Sequence, residues 1–240
     1  MNFSIRISDW QAAAPGLSTT AEWQEWVRAS NSINSENTLA KCQHLPMMMA
    51  RRLSAGSRAA VDTGLALMQK HSVDALVYSS RHGELEKNYR ILEALHQQVE
   101  QSPTVFAMSV HNAAVGTTTI SGKAELVSTA IAAGIDSFQQ ALIESYLLLA
   151  DGCNQVLLVD YDSSLPNFYL SHLPSNLPNY PYAVGLVLEK GEELSCQSIE
   201  PAPPQHSDTP QSLTFLKSWL KNNPSFTLDG EQNRWKWSRQ

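Results

Sequence analysis

The stretch LVSTAIAAGIDSFQQALIESYLLLADG, from Leu126 to Gly152, constrains this chain more than any other. A strand-like run (125–131) passes through the small-residue turn Ala132, Ala133, Gly134 and Ile135 into a long apolar helix. A second apolar run, QVLLVDYD (155–162), follows directly. DALVYSS (74–80) is a third, continuous rather than alternating, as expected of a strand buried on both faces. Clear helical periods separate these runs. SRAAVDTGLALMQKH carries Ala60, Val61, Gly64, Leu65 and Met68 on one stripe, and RHGELEKNYRILEALHQQVEQ carries Leu85, Tyr89, Leu92 and Leu95. Strands alternating with helices argue for an α/β fold with a mostly parallel sheet. At 240 residues the chain can bury one sizeable core.

The remaining segments are weaker signals. Phe3, Ile5 and Ile7 alternate as a strand through about Ile7, and TTAEWQEWVRA puts Trp23, Trp26 and Val27 on one helical face. Residues 30–57 are irregular, with Met47, Met48 and Met49 read as a core entry into the next helix. TVFAMSV (104–110) reads as a strand, NAAVGTTTISG as a small-residue helix or turn, and residues 163–182 as a loop with four prolines. YAVGLVLEKG (182–191) is one more strand. EPAPPQHSDTP is a linker by composition; SLTFLKSWLKNN (212–223) is a helix, ahead of a polar end with two tryptophans.

Several functions are disfavoured at once. A net charge of -6 argues against a nucleic-acid binder. The Trp/Arg tail, Arg234 to Arg239, more readily tucks its indoles onto the preceding domain. Cys42, Cys153 and Cys196 are odd in number and in no ligand pattern, which fits a reduced cytoplasmic compartment. The N-terminus lacks the basic-then-apolar order of a signal peptide, and no apolar run is long enough to span a bilayer. His44, His71, His82, His96, His111, His172 and His206 form no HxxxH or HExxH pair, so no metal is expected. GxSxG, GxGxxG and GxxxxGK[ST] are absent.

The remaining polar candidates each have a plain alternative. His82-Gly83-Glu84, after a strand, can face a ligand or cap the next helix, and capping is favoured. His111-Asn112 can polarise a carbonyl or tie down a turn, and the turn is favoured. Asp160 and Asp162 can hold a divalent cation or sit at a solvated strand end. Ser128, Ser137 and Cys153 are the nucleophile types near the opening stretch, and Cys153 has no group beside it that would activate it. These residues assemble no catalytic set.

The segment SVHNAAVGTTTISGKAELVSTAIAAGIDSFQQALIESYLLLADG resembles the N-terminal half of β-ketoacyl synthases of the thiolase fold. In that family a VNxxAGxLTI-type segment precedes a strand ending in Thr-Ala-Cys, and the nucleophile helix ends at a glycine. Asn112, Gly116, Thr119 and Ile120 match the first segment and Gly152 the helix end. Counting from either anchor places Ile135 at the cysteine position. With SSRHGELEKNYRILEAL, SVHNA and the terminal WKWSR, the chain resembles the short, chain-length-factor-like members of aryl polyene type II polyketide pathways.

The resemblance implies a thiolase-like half, a mostly parallel five-stranded sheet flanked by helices, over residues 1–199. A Pro-rich linker (200–211) and a Trp-containing extension (212–240) would follow. It implies no catalytic residue and no cofactor, since Ile135 cannot form a thioester and the family's two downstream catalytic polar residues belong to a C-terminal half not matched here. It implies a heterodimer with an active ketosynthase, with acyl carrier protein met through the complex. The interface and tunnel candidates are Phe106, Met108, Val110, His111, Asn112, Val115, Gly116, Gly134, Ile135 and Phe138. The alternative is an enzyme in its own right on acyl-carrier thioesters, using His111 or Cys153.

Overall fold

The computed structural model describes residues 1–29, 31–174, 177–199, 209–231 and 233–240. The first half holds β1 (Asn2–Ala13), α1 (Thr20–Ala29), α2 (Met47–Ala50), α3 (Ala55–Met68), β2 (Ala75–Ser79), α4 (Leu85–His96), α5 (Pro103–Ala107) and α6 (Ala113–Gly122). Then come β3 (Val127–Ile131), a 3-10 turn (Gly134–Asp136), α7 (Ser137–Ala150), β4 (Gln155–Asp162) and α8 (Asn167–Leu170). The chain ends with β5 (Tyr182–Ile199), α9 (Gln211–Leu220), β6 (Ser225–Asp229) and β7 (Arg234–Arg239).

The α/β class with flanking helices holds, but the sheet is larger and more mixed than the five mostly parallel strands expected. Its seven strands run β3-β2-β4-β5-β7-β6, with β1 also on β5. Only β3, β2 and β4 are mutually parallel; the other pairings are antiparallel. The length of β5 is the reason. Its first part pairs with β4 through Tyr182–Glu189, and its last part with β7 through Leu194–Ile199. The tail therefore joins the sheet: Trp235 and Trp237 point inward while Lys236 between them is exposed, a period-2 strand in only six residues.

The continuous apolar runs are explained by burial on two sides. On β2, Ala75 and Val77 enter one core cluster with α1, α7 and α9, while Leu76 and Tyr78 enter the other with α3 and α6. Val156 and Leu158 of β4 face the first cluster, and Leu157, Val159 and Tyr161 the second. Gly56 lets the start of α3 close onto the end of β4: a Cβ there would stand 2.1 Å from the Asp162 carbonyl oxygen. Its amide donates to Ser163 Oγ at 2.9 Å.

Four expectations are corrected. Residues 104–110 form α5 and a turn rather than a strand, because Pro103 opens a helix and, among the described residues, no strand pairs with the segment. The α4 stripe is not core: no residue of α4 is buried, and Leu92 and Leu95 are 59% and 61% exposed. Met47 and Met48 are largely exposed, and only Met49 packs against the core. The first strand continues past Ile7 to Ala13, through two register shifts against β5. Residues 200–208 of the expected linker, with His206, lie outside the described residues.

Candidate functional site

The turn ahead of α7 is where the sequence pattern mounts a reactive group, and the structure shows how it is built. Gly134 takes φ +59°, a left-handed conformation that glycine adopts freely. Ser137 Oγ accepts from the Ala133 amide at 3.0 Å and donates to the Gly134 carbonyl at 2.8 Å, closing the turn. Ile135 lies half-buried within it.

The first amides of a helix lack intrahelical partners and suit an anion. Here the C-terminal segment occupies part of that end. Gln211 Oε1 accepts from the Gln139 amide at 3.0 Å, and Asp136 Oδ2 accepts from the Glu231 amide at 2.9 Å. The Gln139 side chain is fully buried and accepts from Trp237 Nε1 at 3.3 Å. The tail that reads as polar in sequence thus covers the head of α7.

Beside the turn lies a cavity of about 160 Å³. Ile135, Phe138, Leu165, Tyr180, Tyr182 and Leu228 form apolar wall, and Asp160, Asp162, His82 and Arg81 line it with polar groups. It sits at the carboxyl ends of β2 and β4, where α/β sheets collect ligands. Asp160 and Asp162 are not a solvated strand end, as one reading of the sequence had it; both are buried. Asp160 accepts from Ser79 Oγ at 2.6 Å and from the Tyr182 hydroxyl at 3.2 Å. Burial pushes its carboxyl up to about 7. Asp162 accepts from Ser80 Oγ at 2.7 Å and from the His82 and Arg81 amides at 2.9 and 3.3 Å. Burial also raises the Asp162 carboxyl and lowers the His82 imidazolium.

The candidate residues fall into separate groups. Gly134, Ile135 and Phe138 gather at the cavity. Phe106, Met108, Val110, Asn112 and Gly116 belong to α5, α6 and the turn between them; Phe106 is 66% exposed, and Val110 and Asn112 are also exposed. Val115 turns into the core. His111 does tie down a turn: Nε2 lies 3.0 Å from the Ser80 carbonyl, and its ring packs on Gly83. Asn112 makes no side-chain cap. Glu84 does not cap α4 either; it is buried, accepts from Ser54 Oγ at 3.1 Å, Ser57 Oγ and Lys87 Nζ, and so anchors α3. Burial and the carboxylates of Asp74 and Asp151 push the Cys153 thiol up, away from the reactive thiolate.

Among the described residues no group of three or more His, Cys, Asp or Glu is placed to hold a metal ion, and no helix is long and apolar enough to cross a membrane. The sequence missed the role of Gln211, Asp229 and Glu231 around this site, because their approach to α7 spans some 70 to 95 residues of chain.

The mixed sheet, the helix mounted behind a tight turn and the loaded carboxyl ends of its parallel strands define a ketosynthase-type half. The family model for the β-ketoacyl synthase N-terminal domain matches residues 23–238, and the chain belongs to that family. A chain in the structure of the ketosynthase ApeO in complex with its chain length factor ApeC, from Xenorhabdus doucetiae, is 50% identical. The match covers 99% of this chain and 100% of that one, at a TM-score of 0.95. The ishigamide ketosynthase/chain length factor shares the fold at TM-score 0.68 and 15% identity, over 82% of this chain and 68% of that one. The oxazolomycin ketosynthase domain OzmH KS7 of Streptomyces albus JA3453 shares it at 0.57 and 12%, over 78% of this chain and 42% of that one. Comparison with curated proteins returned no match.

Proposed function

We propose that this chain is a non-catalytic, chain-length-factor-like subunit that pairs with an active β-ketoacyl-acyl-carrier-protein synthase. In that pair it stabilises the active subunit and helps shape the acyl tunnel of an aryl polyene type II pathway. The observation that carries the reading is that neither Ile131, which ends β3 behind Thr129 and Ala130, nor Ile135 in the turn at the head of α7 is a nucleophile. A hydrocarbon side chain can neither attack a thioester nor hold an acyl group. The amide of Gln139, two turn-positions into that helix, is committed to Gln211 rather than left for an acyl oxyanion.

Pairing is supported by what the chain leaves uncovered. Among the described residues β3 is an edge strand, bonded only to β2. Unpaired strand edges recruit other chains unless blunted, and Val127 on this edge is 64% exposed. Large exposed apolar residues recur on the neighbouring elements in sequence: Leu92 and Leu95 on α4, Phe106 on α5 and Ile120 on α6. Exposed apolar side chains next to an open strand edge suit a partner surface. The half-identical chain from a ketosynthase–chain length factor complex agrees with such a partner.

The test is co-expression with the ketosynthase encoded nearest to it, followed by native mass of what is recovered with one subunit tagged. A stable complex of both chains is expected. Recovery of this chain alone as a soluble monomer would overturn the pairing. Ile135→Cys in the purified single chain should create no condensing activity on malonyl-carrier substrate, and turnover there would overturn the non-catalytic assignment.

A further inference from the structure

We infer that residues 85–107 form an arm that opens and closes as one unit over α8 while the sheet stays folded, its base latched by His111. The inference concerns this chain by itself and does not rest on pairing with a ketosynthase.

Little holds the arm down. From Leu85 to Ala107 no residue is buried, and none enters either core cluster. Elements with few buried apolar contacts open at a fraction of the global unfolding free energy. Helical bonding does not make up the difference. α4 has 12 residues and α5 has 5, and isolated helices shorter than about 12–15 residues are marginal in water. The Arg90–Glu86 pair on α4 is exposed and adds little. Lateral support comes from Tyr89, which stacks on Phe168 at a centroid distance of 5.5 Å and meets Tyr169 at 5.9 Å. α8 itself carries no buried residue, so the rest is as lightly held as the arm.

The base is built differently. Gly83 and Glu84 are buried; the Gly83 amide donates to Ser80 Oγ at 2.7 Å, and Glu84 is held by Ser54 and Ser57. On the return side Met108 packs against the second core cluster and Ser109 is buried. His111 joins the two sides. Its Nε2 donates to the Ser80 carbonyl at 3.0 Å, and its ring lies where a Cβ on residue 83 would stand 2.7 Å from Cδ2. Gly83, at φ +54°, turns the chain out into the arm and leaves that space to the ring. With both ends pinned together, the arm can open without pulling on β2. Leu92, Leu95 and Phe106 are exposed on it, so its movement repositions large apolar side chains.

Hydrogen exchange read by mass spectrometry on the full isolated chain tests this. Amides of α4 and α5 should share one protection factor, at least about a hundredfold below that of α3 and β4. Phe168→Ala lies on α8, outside the arm, and should lower α4 protection further by up to about tenfold with α3 unmoved. His111→Ala should lower protection from 85 to 112 by about fivefold, and His111→Gln, which keeps a donor, should recover part of it. Folding is checked by circular dichroism; if His111→Ala fails to fold, the exposed Phe168 site still decides. An α4 protected as well as α3, unequal protection of α4 and α5, or no response of α4 to Phe168→Ala would each overturn the arm. Lost protection in β2 and β4 of folded His111→Ala, or no recovery by His111→Gln, would overturn the latch.

Discussion

The face built by α7, α9 and the β5–β7 strands differs from the outward sides of α4, α5, α6 and β3. The first closes on itself. Trp237 is fully buried, with Phe3, Phe215 and Phe226 around it at centroid distances of 5.6, 5.1 and 6.5 Å. The second presents Leu92, Leu95, Phe106, Ile120 and Val127 outward. Apolar residues occur on both faces; what differs is whether the chain supplies something to cover them. A helix is buried when tertiary structure brings a partner, and α4, with as clear an amphipathic period as α3, meets α8 only through Tyr89 on Phe168 and Tyr169 and leaves Leu92 and Leu95 outward.

The contrast is best broken from the closed side first. Trp237→Ala should lower stability by about 3–5 kcal/mol, read as a fall in the denaturant midpoint with unchanged slope. A loss below about 1 kcal/mol would mean the tail is only loosely applied.

Asp160 gives the next largest effect. Its folded carboxyl is raised from 3.8 to about 7, so the folded state binds the proton more tightly than the unfolded chain. Its contribution is therefore fully present below about pH 4 and is lost as pH rises through about 7. The swing is on the order of a few kcal/mol. Asp160→Asn should flatten stability over that window, with Asp162, also raised, providing the remaining slope. An unchanged pH profile in that variant would place the titration elsewhere.

Gln211→Ala removes the bonds to the Gln139 amide and the Asp229 carbonyl. It should cost about 1 kcal/mol, measured by thermal unfolding.

On the open face the effect on the isolated chain should be the smallest. Phe106→Asp and Val127→Asp should change its stability by no more than about 0.5 kcal/mol. Gly116→Leu should be equally quiet, since an added Cβ there meets nothing within 4 Å. All three should nevertheless prevent recovery of a complex with the ketosynthase. Intact complex in all three variants would move the interface off this face.

Legibility in the sequence followed the reach of the forces involved. α3 and α7 could be read because a helix bonds to itself within four residues and their apolar residues recur at its period. β2 and β4 could be read because strands covered on both faces carry no polar alternation. TVFAMSV could not, since β-branched and aromatic residues suit a strand only if another strand is beside them. The tail hid two strands for the converse reason: six residues are too few to establish a period, and β7 exists because β5 runs long enough to meet it.

The site divides along the same line. That residue 135 carries a hydrocarbon side chain is a property of the residue itself and is legible in the amino-acid sequence alone. So are the glycine that turns the chain ahead of α7 and the apolar stripes of the helices, because local geometry and covalent chemistry need no distant partner. Whether Asp160 and Asp162 meet water or a cavity, whether Gln211 covers the head of α7, and which apolar stripe stays open were decided only by the tertiary structure. Each depends on groups tens to a hundred residues apart, and burial, which sets both carboxyl ionisation and apolar stabilisation, is a property of the packed whole.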